Sequence, residues 1–324
     1  MSDGTKSIEA LLKCKENIAA KFPERHKSHV FWCPKNKDAD INKPGFFLYA
    51  YGGQVLQLYI DNDTLHFSFN NSYDDYYEGH KGNPEIIKIK NDHVPNTRLE
   101  KLKKLDKTQW DQVFSAFENR AYSGKNGKMY LERCRETVIA HNNSDVSDEG
   151  IKIIEMESRI PKEIFPDKKP KKTDFVGVRI NNGKPVLSFI EYKCTTGAMY
   201  GNQKPINHFI DMKEYYTKKE VFRYFEGFDK CIGKPVLGSV DDADREMIFL
   251  FSHVGAKKDG MTIQKAINGI KEIEKKATKT DNVKIVIIDD ENRLINNEDI
   301  ISIGAALKKL ENEKKTGTMQ ETES

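Results

Sequence analysis

Residues 173–194 read TDFVGVRINNGKPVLSFIEYKC, and the Asn182-Gly183 pair at the centre constrains the fold more than any other dipeptide in the chain. A two-residue type I′ turn needs φ > 0 at both central positions, which Asn and Gly tolerate. Alternating apolar flanks make this a predicted β-hairpin. The short loop also fixes the register: Asn181 faces Lys184, Val178 faces Leu187, Val176 faces Phe189 and Asp174 faces Glu191. Acids directly opposite on an antiparallel pair have Cβ atoms about 5 Å apart and repel. Period-two alternation puts Glu191 and Lys193 on that same face, about 7 Å apart. A divalent cation between the carboxylates, with the ammonium beside it, turns the repulsion into a site. A solvated strand rim is the ordinary alternative. Such a rim does not require three charged groups to converge at the end of a hydrophobic stripe.

Asp174, sixteen residues, then Glu191-Tyr192-Lys193 resembles the D…ExK signature of the PD-(D/E)xK nuclease superfamily. The order of elements over about residues 125–290 is similar to that of the family: a helix with acidic residues, a hairpin carrying the motif, then a helix and further strand. The resemblance implies a restriction-endonuclease-like α/β core and Mg²⁺- or Mn²⁺-dependent hydrolysis of DNA phosphodiester bonds. It assigns Asp174, Glu191 and Lys193 as catalytic. Metal ligands would be Asp174, Glu191 and the Tyr192 main-chain carbonyl, with an acid from the preceding helix. Glu132 is the first choice for that acid; Glu136, Glu155 and Glu157 remain open. Lys193 would orient water or stabilise developing negative charge. A second aspartate, Asp167, follows Pro166, but extending the register puts it opposite Ala198, far from the ExK strand.

Composition sets wider bounds. The 324 residues suit one large or two ordinary domains, and 32% charged with 37% hydrophobic residues suits a soluble globular protein. No apolar run approaches the ~20 residues of a membrane span, and the N-terminal residues lack the pattern of a signal peptide. A cytoplasmic location is expected. Cys14, Cys33, Cys134, Cys194 and Cys231 are odd in number with no CxxC, so reduced thiols are expected. A net charge of +3 does not by itself indicate nucleic acid. Lys168, Lys169, Lys171 and Lys172, just before the Asp174 strand, read either as phosphate-attracting groups or as a solvated loop.

The spacing predicts three parts. Residues 1–121 form a strand-rich α+β region: a helix over 7–21, aromatic strands in HVFWCP, GFFLYAYGG, QVLQLYID and TLHFSFNN, a further strand in PEIIKIKN, and helices over 97–105 and 107–121. This region is expected to recognise the target or serve an accessory role. Residues 122–310 form the nuclease domain, in the order helix, strand, hairpin, helix, strand, helix, strand. Residues 311–324 have too little apolar content to fold and are expected to lack structure.

Other fragments carry less. SGKNGKM lacks the first glycine and the Ser/Thr of a phosphate-binding loop. His26, His29 and Cys33 lack an evident fourth zinc ligand. His208, Asp211 and Lys213 follow the hairpin on a helix and are within possible reach of phosphate, although surface polarity is the commoner explanation. The aromatic run from Tyr215 to Phe228 reads as core more than as a base-stacking surface. The leading expectation is a metal-dependent deoxyribonuclease of restriction or anti-invader type, with DNA as partner and a homodimer where both strands are cut. Two other classes stand beside it. One is a catalytically inactive binding module on the same fold, and the other a Toprim-like or nucleotide-binding domain using Asp289, Asp290 and Glu291.

Overall fold

A computed structural model describes residues 3–34, 43–69, 95–123, 127–144, 149–159, 172–216, 244–256 and 260–322. The described residues form a mixed α/β structure with two sheets. Described residues up to His141 form one compact unit and those from Asn142 form another. No helix among the described residues is long and apolar enough to cross a membrane.

The first unit holds α1 (Asp3–Ala19), an antiparallel meander and three further helices. The meander runs in spatial order β1 (Val30–Pro34), β2 (Gly45–Ala50), β3 (Gly53–Asp61) and β4 (Thr64–Phe69); the helices are α2 (Pro95–Lys104), α3 (Lys107–Ser123) and α4 (Gly127–Asn142). The expected helices and four aromatic strands are thus present, while PEIIKIKN lies outside the described residues. Leu11 and Ile18 of α1, Leu48, Leu56 and Leu58 of the sheet, and Trp110, Phe114 and Phe117 of α3 share one core. Phe22 meets Trp110 and Phe114 edge-on, with ring centroids 5.1 and 4.9 Å apart. Helix α4, expected to open the second region, instead contributes Cys134 to this core. It lies against the β2–β3 turn, where Gly52 N donates to Thr137 Oγ1 at 2.8 Å and a Cβ on Gly52 would fall 2.3 Å from Arg133 Cβ.

The second unit is built on a six-stranded sheet ordered β10-β9-β8-β7-β6-β5. The strands are β5 (Lys152–Arg159), β6 (Lys172–Asn181), β7 (Lys184–Lys193), β8 (Asp244–Ser252), β9 (Val283–Ile288) and β10 (Ile301–Ser302). β5, β6 and β7 are antiparallel, whereas β7, β8 and β9 are parallel. The predicted hairpin is present with the predicted register: Asn181 pairs Lys184, Val178 pairs Leu187 and Val176 pairs Phe189. Asn182 and Gly183 have φ of 51° and 75°, as a type I′ turn requires. Helix α5 (Pro205–Tyr216) packs on β7 and β8, and α6 (Ile263–Lys276) packs on both α5 and α7 (Ile303–Thr322). Thr262 caps α6, and Ala266, Ile267, Ile270 and Ile273 form its buried stripe.

Residues 311–322 differ from expectation: they continue α7 instead of lacking structure. Extending an established helix costs far less than nucleating one. Here Ala306, Leu307 and Leu310 are buried, and Lys271–Glu311 (2.9 Å) and Lys314–Gln264 (2.6 Å) tie the exposed part to α6.

Near the turn end of the hairpin, three strands are joined by a buried polar group. Arg179 of β6 donates from Nε and Nη2 to the two carboxylate oxygens of Glu246 on β8, each at 2.7 Å, and Ser188 of β7 donates to Glu246 Oε1 at 2.7 Å. Removing one partner of such a pair leaves an uncompensated buried charge, at a cost of about 3–5 kcal/mol. Arg179→Met is therefore expected to lower unfolding free energy by about that amount, and adding Glu246→Met to recover most of it. Urea unfolding of the single and double variants checks both values; a neutral single variant would remove this network from the account.

Candidate active site

The last recorded rung of the β6–β7 ladder is Phe175↔Ile190. Beyond it, side chains of β6 take over the pairing. Thr173 Oγ1 donates to Ile190 O at 2.9 Å, and Asp174 Oδ2 accepts from Tyr192 N at 2.8 Å. Asp174 and Glu191 are the next residues beyond that rung and form no ladder pair; the Asp174 carboxylate is turned onto the β7 backbone. Because the N–H and C=O of a strand residue point to the same edge, the Tyr192 carbonyl also faces β6, past the end of the ladder.

Glu191 is 1% exposed and Lys193 3%. Lys193 Nζ donates to Glu191 Oε1 at 2.6 Å, and His208 Nδ1 of α5 approaches the same oxygen at 2.8 Å. Both bonds fall on Oε1. Burial pushes the Glu191 carboxyl up, but the Lys193 ammonium and the bonded His208 outweigh it and hold it below the ordinary glutamate range. The carboxylate thus remains ionised in a place where an isolated one would take up a proton. On the opposite face of β7, the Tyr192 hydroxyl is 2.6 Å from Ser252 Oγ, and burial raises it well above the usual tyrosine range.

The remaining candidates lie as follows. Glu132, half-buried, and Glu136, buried, are on α4 within the first unit. Glu155 is buried on β5, paired with Val176, and so shares a face with Asp174. Glu157 stands opposite Asp174, between the pairs Met156↔Phe175 and Ser158↔Thr173, but its φ of 48° breaks the pleat there. Lys172 opens β6; Asp167, Lys168, Lys169 and Lys171 lie outside the described residues. Asp211 and Lys213 share α5 with His208, and Lys213 pairs with Asp281 at 2.7 Å. Phe209 is buried, whereas the side chains of the aromatic run from Tyr215 to Phe228 lie outside the described residues.

The other fragments also have local partners. Asp290 Oδ1 accepts from Asn292 N in a strand-ending turn, and Glu291 Oε2 is 2.6 Å from His253 Nε2. His26 Nδ1 is 2.7 Å from the Tyr51 hydroxyl, and Cys33 Sγ lies 3.7 Å from Pro34 O. Cys14, Cys33, Cys134 and Cys194 are buried thiols. Among the described residues, no three His, Cys, Asp or Glu side chains gather in a metal-holding group.

Sequence reasoning gave His208 little weight and passed over Thr173. The signal for Thr173 is its place beside Asp174 at the strand start. For His208 it is the short connection from β7 to α5, which returns the first turn of the helix to the strand end. Comparison with protein-family models, curated proteins and solved structures finds no match to this chain.

The Glu191 contacts carry a pH signature. A carboxyl whose folded pKa is lowered adds stability above its unfolded pKa, and that contribution is lost as pH falls through the folded value. Glu191→Gln leaves Lys193 buried without this counter-charge, and is expected to lower stability by about 3 kcal/mol at pH 7. The gap between wild type and variant should shrink as the pH falls below the glutamate range. Urea unfolding at pH 7 and pH 3.5 (about one unit under the ordinary Glu value) measures the change; a gap that stays constant would contradict an ionised Glu191.

Proposed function

We propose that the second unit is a divalent-metal-dependent deoxyribonuclease with a restriction-endonuclease-like core, hydrolysing DNA phosphodiester bonds. The observation that supports this most is the buried Glu191, paired with Lys193 at 2.6 Å, next to the ladder end where Asp174 Oδ2 accepts from Tyr192 N. These are hard oxygen donors and suit Mg²⁺ or Mn²⁺. Mg²⁺ commonly takes only one or two protein carboxylates and fills its other positions with water and substrate phosphate, so Asp174 and Glu191 suffice without a third converging side chain. When bound, such an ion acidifies a water and neutralises charge on the phosphoryl oxygens.

The chain's own residues supply the rest. Tyr192 N fixes the Asp174 carboxylate through Oδ2, and Lys193 and His208 fix Glu191 through Oε1, so both acids are oriented before substrate arrives. Lys193 places a positive charge beside the reacting phosphate, where removal from water strengthens its effect on developing negative charge. Lys168, Lys169, Lys171 and Lys172 precede the Asp174 strand and would add attraction for the phosphate backbone. In this reading the first unit assists target recognition, the second unit carries cleavage, and a homodimer brings two sites to a duplex. Glu155, buried on β5 on the face that carries Asp174, is the further acid available within the same unit.

Cleavage of plasmid and single-stranded DNA, with Mg²⁺, with Mn²⁺ and with EDTA, tests this reading. Wild type should cut only with metal. Asp174→Asn keeps an oxygen for Tyr192 N but loses the charge, so its melting temperature in EDTA should be close to wild type or higher while cleavage falls at least about 100-fold. Lys193→Met should lose cleavage by a similar factor and retain metal binding. Cleavage that persists in EDTA, or none on any substrate with either metal, would overturn the nuclease reading. Metal-independent DNA binding without cleavage would favour the inactive module.

A further inference from the structure

Two groups from different elements meet the Glu191 carboxylate at Oε1. Lys193 lies two residues along β7 and comes with the strand. His208 comes from α5, whose position is set separately: Phe209 and Met212 are buried, Lys213 is paired with Asp281, and Pro205 at its start packs beside α6. A Cβ on Gly269 of α6 would fall 2.5 Å from Met199 Cε and 3.3 Å from Pro205 Cγ, so α6 approaches the β7–α5 connection closely. The imidazole is thus held by a fixed helix, and its side chain is 22% exposed.

The two ring nitrogens differ. Nδ1 faces a carboxylate oxygen, which can only accept, so Nδ1 donates. Nε2 is buried and has no hydrogen-bond partner among the described residues. A buried polar atom left this way is costly and calls for a role. With Nδ1 directed at Glu191, the buried Nε2 is the ring atom left to take a partner beside the carboxylate of the site.

We infer that His208 is a positioning residue of the phosphodiesterase site: Nδ1–H fixes Glu191 through Oε1 so that Oε2 meets the divalent cation, and Nε2 hydrogen-bonds a water of the substrate complex. This rests on the nuclease reading above. A partner that orients a metal ligand typically changes metal affinity or activity about 10–100-fold when removed. Here the two nitrogens can be tested separately, because an Asn amide reproduces the Nδ1 position and a Gln amide the Nε2 position.

The experiment uses the full chain and measures Mn²⁺ affinity by titration calorimetry, DNA cleavage as kcat and KM, and melting temperature. His208→Asn should keep Mn²⁺ affinity close to wild type and lose kcat about 10–100-fold with KM little changed. His208→Gln should weaken Mn²⁺ binding about 10-fold or more. Both are expected to melt cooperatively, and His208→Leu should show both losses. If wild type binds Mn²⁺ and cleaves, while the Asn and Gln variants differ from it only in melting temperature, His208 is a structural tie and the inference is overturned alone. An Asn variant with full kcat, or a Gln variant with full Mn²⁺ affinity, overturns it as well. A wild type that neither binds Mn²⁺ nor cleaves brings down the nuclease reading and this inference together.

Discussion

A carboxylate with almost no contact with water remains charged at the centre of this site, and the surrounding elements are arranged around that fact. Desolvation alone would push Glu191 toward its neutral form; Lys193 and His208, both bonded to Oε1, reverse the balance. The strand provides the first donor and α5 the second. Helix packing and site electrostatics are therefore not separable here, because displacing α5 removes a bond from the charge that β7 buries.

The two ends of the hairpin handle charge differently. Toward the turn, Arg179, Ser188 and Glu246 join three strands in a buried network, a specific but expensive way of fixing alignment. At the other end the ladder stops at Phe175↔Ile190, and Thr173 and Asp174 bond the freed backbone of β7. Asp174 is tolerated past that rung partly because its carboxylate has a main-chain donor to turn toward. A strand end opened in this way leaves backbone and carboxylate oxygens together without exposing a long unpaired edge.

Much of this was legible in the sequence because turn chemistry sets register. Asn182-Gly183 admits few loops, and once the loop is two residues long, the register down to Phe175 against Ile190 follows by counting. The aromatic strands of the first unit and the apolar run of β9 were similarly plain. Other features depend on side-chain direction and tertiary packing, which periodicity does not encode. Nothing in the spacing says that Asp174 turns to Tyr192 N, that His208 returns to Glu191, or that Cys134 carries α4 into the core of the first unit. The C-terminal residues were misread for a related reason: low apolar content argues against an independent fold but not against extension of a helix already anchored at Leu310.

We propose that Asp174 and Glu191 receive one divalent cation at the open end of the β6–β7 ladder. Mn²⁺ soaked into crystals of the full chain, located by anomalous scattering, tests it most directly. A peak is expected within coordination distance of Asp174 and of Glu191 Oε2, with Lys193 and His208 still on Oε1. A fully occupied peak elsewhere, or none at these carboxylates even with DNA bound, would contradict it.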